Sequence, residues 1–343
     1  MSARSNLMLS LVALSLIGGC AQKDGLGRKE ASVANNEHAA ITPNPPMTQP
    51  GNQAVTFPVA DSMEQASDES PAEEQMPIQA DVPILEIETV PIKAGSFQMG
   101  SLESNLYRKP DETRHEVILT KDFSMSKYEI TNAQYATFLN ACGIGPDGRG
   151  NDKTEYRGRV LIVDCTTKDH LWGVRWDSSN LQWVSMTGYE NYPVVYVTWY
   201  GAKAYANWIG GSLPTEAQWE YACRAGTITD YYFGNNWEEL EPHAWYFRDA
   251  EIIYTTHKVG TKEANPWGLH DMYGNVAEWC QDLYAPFSPE LVTDPTGPRK
   301  GDERVLRGGS WGTRALNCRS ASRSHSIPSN GYDIAGFRVV FTP

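Results

Sequence analysis

Apolar positions change their pattern twice along the 343 residues. Leu7 to Ile17 is an almost unbroken apolar run behind Arg4, ending in Gly18-Gly19-Cys20. Its charge-then-apolar order, and its length too short to span a bilayer, predict a signal peptide over 1–19. From there to about residue 82 the chain is Pro, Gln, Asn, Ser and Glu with few large apolar side chains. Such a stretch buries too little surface to offset the entropy of ordering, and predicts a flexible tether over 20–82.

Periodic apolar positions begin after that, and 83–343 is expected to be the folded domain. Val90 to Met99 predicts strand, turn, strand; His115 to Leu119 and Phe123 to Tyr128 predict further strands. Thr131 with Gln134 fits a capping box, Ile130 can staple onto Tyr135, and the helix so started should end near Cys142-Gly143. Residues 143–192 scatter Gly, Asp and Asn between short alternating stretches, Arg159 to Val163 and Leu181 to Val184, and predict a hairpin-rich surface insertion. Pro193 to Val197 reads as a buried strand, and Thr198 as the cap of a helix to Ile209 that stops at Gly210-Gly211. Thr215 with Gln218 forms a second capping box, opening a helix that buries Trp219, Tyr221 and Ala222. From Arg224 onward the pattern predicts loops and short strands.

Eleven Trp and 29 Gly fit a loop-rich fold pinned by aromatic side chains, not a helical bundle. The net charge of −13 owes much to a run without a base, Asp61, Glu64, Asp68, Glu69, Glu73 and Glu74, of the kind found in solvated linkers. No basic stripe is present to replace the counterions of nucleic acid, which excludes that partner.

Cys20 adds an address. Small residues before a cysteine at the end of a signal peptide, I-G-G-C, resemble a bacterial lipobox, with Cys20 as the lipidated mature N-terminus; a plain signal peptide cleaved near Ala21 is the alternative. Ala21 in place of Asp points to the outer membrane. The expectation is a cell-envelope protein held to the membrane by its lipid, with an exported or envelope protein as partner. An exported chain makes disulfides expected among Cys142, Cys165, Cys223, Cys280 and Cys318, an odd number, so one thiol must stay single within a monomer. Cys142 and Cys165 flank the first half of the insertion and are placed to staple it.

The most unusual stretch is Asn265 to Cys280, N-P-W-G-L-H-D-M-Y-G-N-V-A-E-W-C. It is too glycine-broken for a helix and too interrupted for a regular strand, yet carries Trp267, Tyr273 and Trp279, which need burial. Asp271 and Glu278 among them need partners, since an unpaired buried carboxylate is costly. Two readings stand: a hard cation held by both carboxylates and backbone carbonyls, as Ca2+ prefers, or hydrogen bonds from arginines or amides. Arg304, Arg307, Arg314, Arg319, Arg323 and Arg338 supply either salt bridges to Asp271, Glu278 and Asp282 or a cleft for an anion. Gly308 to Gly312 spells G-x-S-x-G around Ser310, but a hydrolase needs Asp and then His after the serine, and here His325 precedes Asp333. The seven histidines show no zinc spacing.

G-N-V-A-E-W, L-P-T-E-A-Q-W-E-Y-A (213–222), R-V-L-R-G-G-S-W (304–311) and I-A-G-F-R-V-V (334–340) together resemble the sulfatase-modifying-factor family, whose founding members are the formylglycine-generating enzymes. The resemblance runs from about Val90 to Phe341. It implies an α+β fold, loop-rich, related to C-type lectins and low in regular secondary structure. It implies a structural calcium on Asp271, the carbonyls of Gly274 and Val276, and Glu278. Family members usually have Trp at the position of Ala277, where it lines the active site. Those enzymes oxidise a substrate cysteine with O2 on Cu(I) held by two cysteines shortly after G-G-S. Counted forward from Gly308-Gly309-Ser310 these positions are Thr313 and Cys318; counted backward from Arg319–Arg323, Cys318 falls outside the pair. Either way the two-thiolate copper site is missing, and only Ser310 and Cys318 remain as catalytic candidates by position. Cys223 resembles a family cysteine bridged to the R-x-A-x-R strand, where Cys318 stands two residues before the family's partner and Cys280 competes for it. The resemblance thus implies a diverged binding or assembly module, or else an oxidoreductase converting a cysteine of an exported protein such as a sulfatase, with Cu only in that second case.

Overall fold

The computed structural model describes residues 86–168, 170–248 and 255–342. Cys20, the apolar run before it and residues 21–82 lie outside them. Four small sheets and three helices are joined by long irregular connections. Strands β1 (Thr89–Ile92), β2 (Gly95–Met99), β3 (His115–Leu119) and β4 (Phe123–Ser126) come first. The stretch Val90 to Met99 is strand, turn, strand as expected, but its two strands do not pair with each other. β1 pairs with β4 and β2 with β3, both antiparallel.

Helix α1 (Asn132–Ala141) opens with both halves of the expected capping box: Gln134 N donates to Thr131 Oγ1, and Thr131 N to Gln134 Oε1. Residues 143–192 include one hairpin, β5 (Val174–Asp177) with β6 (Gln182–Ser185). The expectation of a surface insertion needs correction here. Leu161, Ile162, Cys165, Val174 and Trp183 are buried with the apolar face of α1, and Asn140 clamps Trp183 by accepting from its N and donating to its O. The polar residues between them hid a continuous apolar set.

Pro193 to Val197 is buried but is not a strand. Tyr196 has φ +59°, which breaks any ladder, and its N–H reaches Tyr332 O instead. Helices α2 (Trp199–Trp208) and α3 (Glu216–Arg224) follow, α3 again with a complete capping box. Trp219 and Ala222 are buried as expected, while Tyr221 is half-exposed.

The last part supplies the central sheet. Strand β7 (Ala277–Leu283) starts inside G-N-V-A-E-W, so that run is irregular only up to Val276. With β8 (Val292–Thr293), β9 (Arg304–Arg307), β10 (Arg323–Ser326), β11 (Ala335–Gly336) and β12 (Val340–Phe341) the strands are complete. Their order in the four-stranded sheet is β10-β9-β7-β11. Alternation along it separates two apolar clusters: Ala277, Trp279 and Leu306 face α1 and α2, while Cys280 and Val305 face α3 and the strands β2 to β4. β12 closes back on β4, and β8 lies parallel to β3. No helix among the described residues is long and apolar enough to cross a membrane.

Candidate functional site

Asn265 builds the loop before β7. Its Oδ1 accepts from Trp267 N and Leu269 N, and its Nδ2 donates to Ala222 O at the end of α3. The loop then turns through three left-handed residues, Asp271, Gly274 and Asn275. Gly274 is required by space as well as by φ: a Cβ there would sit 2.0 Å from Trp245 O. Asn275 Nδ2 donates to Glu129 Oε2 at 2.6 Å, and Val276 N to Glu129 Oε1 at 3.1 Å.

Three carboxylates therefore gather behind the loop, Glu129, Asp271 and Glu278, all buried. Glu278 has what the hydrogen-bond reading expected. Arg338 grips it through Nε and Nη2, both at 2.7 Å, and Trp219 Nε1 donates to Oε2 at 2.7 Å. Asp271 Oδ2 accepts from Gly260 N, but Oδ1 is buried with no partner. Burial pushes the Asp271 carboxyl up to about 6. Burial, and then the charges of Asp271 and Glu278, raise Glu129 well above the usual range. Arg338 is paired with Glu278, and neither Glu129 nor Asp271 has an ion-pair partner among the described residues. That imbalance and the orphaned Asp271 Oδ1 fit a divalent cation with oxygen ligands. Among the described residues no three His, Cys, Asp or Glu side chains converge tightly enough to hold a metal by themselves, so the carbonyls of Gly274 and Val276 would have to share the ligation.

The corner after β9 starts with Gly308 and Gly309, both at positive φ. A Cβ on Gly309 would lie 2.8 Å from Cys318 Sγ and 3.1 Å from Thr313 Cγ2. The two residues counted forward from the glycines thus pack against one α-carbon. Thr313 Oγ1 accepts from Ser310 N and lies 3.0 Å from Ser310 Oγ, which in turn accepts from Gly312 N. Ser310 is buried and serves this turn, and among the described residues no base reaches it. Burial pushes the Cys318 thiol up to about 12. Cu(I) takes two soft ligands. One high-pKa thiol and one hydroxyl bonded within its own turn do not fit it. Ala277 lies opposite Ala335 across β7 and β11, a small pair where the family's Trp would stand.

The five cysteines of the described residues are free and buried, which corrects the disulfide expectation for Cys142, Cys165, Cys223, Cys280 and Cys318. Cys318 does not lie on a strand: Ala315–Asn317 is a 3-10 turn and β10 starts only at Arg323. The position matching the family's bridge partner is Ser320. Its hydroxyl is 2.8 Å from Tyr273 Oη and also hydrogen-bonds the Cys223 thiol. With a hydroxyl opposite it, Cys223 has nothing to bridge.

The arginines are structural. Arg319 takes Glu112, Arg323 takes Glu216 and Arg307 takes Glu220, each pair buried. Arg304 stacks on Trp199 with its guanidinium carbon 3.8 Å from the ring centre. Asp282 is not ion-paired; it accepts from Glu216 N. Sequence reasoning missed Glu112, Glu129, Glu216 and Glu220. For the last two a signal existed: they stand four apart on α3, among the residues that bury Trp219 and Cys223.

Comparison with known proteins extends these observations. A family model described as the sulfatase-modifying factor enzyme 1-like domain matches residues 77–343. The chain is 36% identical over 268 residues to the serine/threonine-protein kinase pkn1 of Chlamydia pneumoniae, covering 75% of this chain but 38% of that protein. It is 32% identical over 276 residues to the formylglycine-generating enzyme of Streptomyces coelicolor, covering 73% and 87%. Among solved structures, PvdO from Pseudomonas aeruginosa superposes with a TM-score of 0.58 at 25% identity, over 74% of this chain and 94% of that one. Treponema denticola variable protein 1 shares the fold at 24% identity and a TM-score of 0.57, over 77% and 98%.

Proposed function

Because the chain belongs to the sulfatase-modifying factor enzyme 1-like family, we propose that it is a diverged member: a lipid-anchored envelope protein whose domain serves binding or assembly, without formylglycine chemistry. One observation carries this reading. Thr313 and Cys318 flank Gly309 where two thiolates are needed, and the Thr313 hydroxyl is bound to Ser310. The test is to load the purified protein with Cu(I), supply O2 and a cysteine-containing sulfatase-type peptide, and look for the aldehyde by mass spectrometry. No turnover is expected. Repeated turnover that vanishes in Cys318→Ala would establish the second reading, an oxidoreductase acting on a cysteine of an exported protein. That reading draws support from the match to the Streptomyces enzyme over most of its length.

The anchor rests on I-G-G-C at 17–20. Cys20→Ser should leave the protein in the soluble fraction, whereas continued acylation and sedimentation with membranes would remove the anchor from the proposal.

Calcium would be held by Asp271 and the carbonyls of Gly274 and Val276, and by Glu278 only where it gives up part of its grip on Arg338 and Trp219. Its contribution is to balance the surplus carboxylate charge and fix the loop, not to react. A ligand at about a hundred times its Kd stabilises the folded state by about 2.7 kcal/mol. Chelation should therefore lower Tm by roughly 5–10 °C for a domain of this size, and Asp271→Asn should abolish the response. A melting curve indifferent to excess chelator would count against the site.

A further inference from the structure

Phe287 is held from two sides. Its ring lies 4.9 Å from the His115 imidazole, and the guanidinium carbon of Arg323 sits 3.7 Å from its centre. Residues 285–298 arch outward around it and are tied back by β8 on β3 and by Asp294, whose carboxylate accepts from Thr120 N and Oγ1. A cavity of about 410 Å³ lies beneath this arch, lined by Asp282 and Leu283 of β7 and by no residue of the Gly274 loop or the Ser310 corner. Its volume is within the range of about 300–1,000 Å³ typical of ligand sites. Met99, Ala217, Phe287, Val292 and Pro295 give it apolar walls.

The ionisable groups bordering it are committed, with one exception. Glu216 gives both oxygens to Arg323; Arg323 Nη1 donates to Asp111 O; His115 Nδ1 is bonded to Thr113 O. Asp282 Oδ2 accepts from Glu216 N, and Oδ1 has no hydrogen-bond partner among the described residues. Gly297 lies against this carboxyl: a Cβ there would stand 2.8 Å from Asp282 Cβ and 3.2 Å from Oδ1. Burial, and then the charge of Glu216, push the Asp282 carboxyl up to about 8, against the pull of Arg323 and Arg304. His115 faces the same space from β3. With Oδ2 occupied as an acceptor, Oδ1 is the oxygen left to carry a proton and act as a donor.

We propose that this cavity binds a compact uncharged molecule, an apolar body bearing one carbonyl oxygen that Asp282 Oδ1 engages. Glu216 and Arg323 neutralise each other in the wall, which leaves no free fixed charge from that pair to hold a charged ligand. The proposal is independent of the reading above, since it uses neither the Gly274 loop nor the Ser310 corner. Acetophenone is the probe, with ethylbenzene as the analogue lacking an acceptor and benzylammonium and benzoate as charged counterparts. Binding to the full chain is followed by NMR of the Ala285 and Val292 methyl groups. Acetophenone should bind about tenfold more tightly than ethylbenzene, the factor expected for one retained hydrogen bond. Its affinity should fall about tenfold between roughly pH 6.5 and 9.5 as Asp282 ionises and loses its donor. Asp282→Asn, which keeps a donor in place, should bind at both pH values alike. Ala285→Trp should fill the cavity and abolish binding; should that variant not fold, the pH series on the unaltered protein decides. Equal affinity for ethylbenzene, equal binding of the charged probes, an affinity flat with pH, or shifts away from Ala285 and Val292 would each overturn the proposal.

Discussion

Glu278→Ala is expected to lower the unfolding free energy by about 3–5 kcal/mol, the range for breaking a buried ion pair from one side. The side chain accepts three hydrogen bonds, two from Arg338 and one from Trp219 Nε1. Its removal leaves a fully buried guanidinium whose remaining hydrogen-bond partners are the carbonyls of Ser126, Lys127 and His270. The strength of the effect comes from the stranded charge, not from the attraction lost. Glu278→Ala combined with Arg338→Met should therefore recover most of the loss. Urea unfolding of the three variants checks this. A single-variant loss below about 1 kcal/mol, in the range of an exposed pair, would refute the account.

Gly201→Ala should destabilise by about 3 kcal/mol, at the upper end for overpacking, and must do so against helix propensity. In an exposed helix interior the same change is worth about 1 kcal/mol in the opposite direction. Position 201 is different because a Cβ there would come within 2.0 Å of Leu161 O and 2.3 Å of Tyr135 Oη. Leu161 belongs to the 143–192 segment, so the clash measures how firmly that segment is seated against α2. Gly145→Ala is the control. Its Cβ meets nothing nearer than Asp147 Oδ1 at 3.7 Å, and its effect should stay within about 0.5 kcal/mol. Equal melting temperatures for the two variants would show that the segment yields easily.

Local chemistry was legible in the sequence. Both capping boxes form as read, since a threonine and a glutamine three residues apart carry their own geometry. Partner choice was not legible. Val90 to Met99 gives no sign that its strands join different sheets, because pairing is decided by residues some 30 positions away. At the Ser310 corner the two residues counted forward from the glycines, Thr313 and Cys318, both pack against Gly309, whereas the strand from which the backward count starts begins only at Arg323. The cysteines were misleading for a related reason: an export signal raises the expectation of bridges, but a bridge also needs two sulfurs facing each other, and Ser320 faces Cys223. The carboxylates were half-legible. Asp271 and Glu278 stood out among aromatics, whereas Glu129 sits in an ordinary-looking Y-E-I-T-N and is found only when Asn275 and Val276 fold back onto it.

The buried ion pairs also bear on when the chain can fold. Arg307 reaches back 87 residues to Glu220, Arg323 107 residues to Glu216, Arg319 207 residues to Glu112 and Arg338 60 residues to Glu278. Each of these arginines follows its glutamate by at least 60 positions, so the glutamates are synthesised first. Glu220 has Arg224 four residues on, but Glu112, Glu216 and Glu278 remain unpaired charges that resist burial until their arginines arrive. Sequence-distant closure of this kind makes folding slow and holds it back until the arginines have emerged. A ribosome-bound chain that still lacks residues 307–338 therefore stays open and threadable, the state in which a polypeptide can still be passed through a translocation pore.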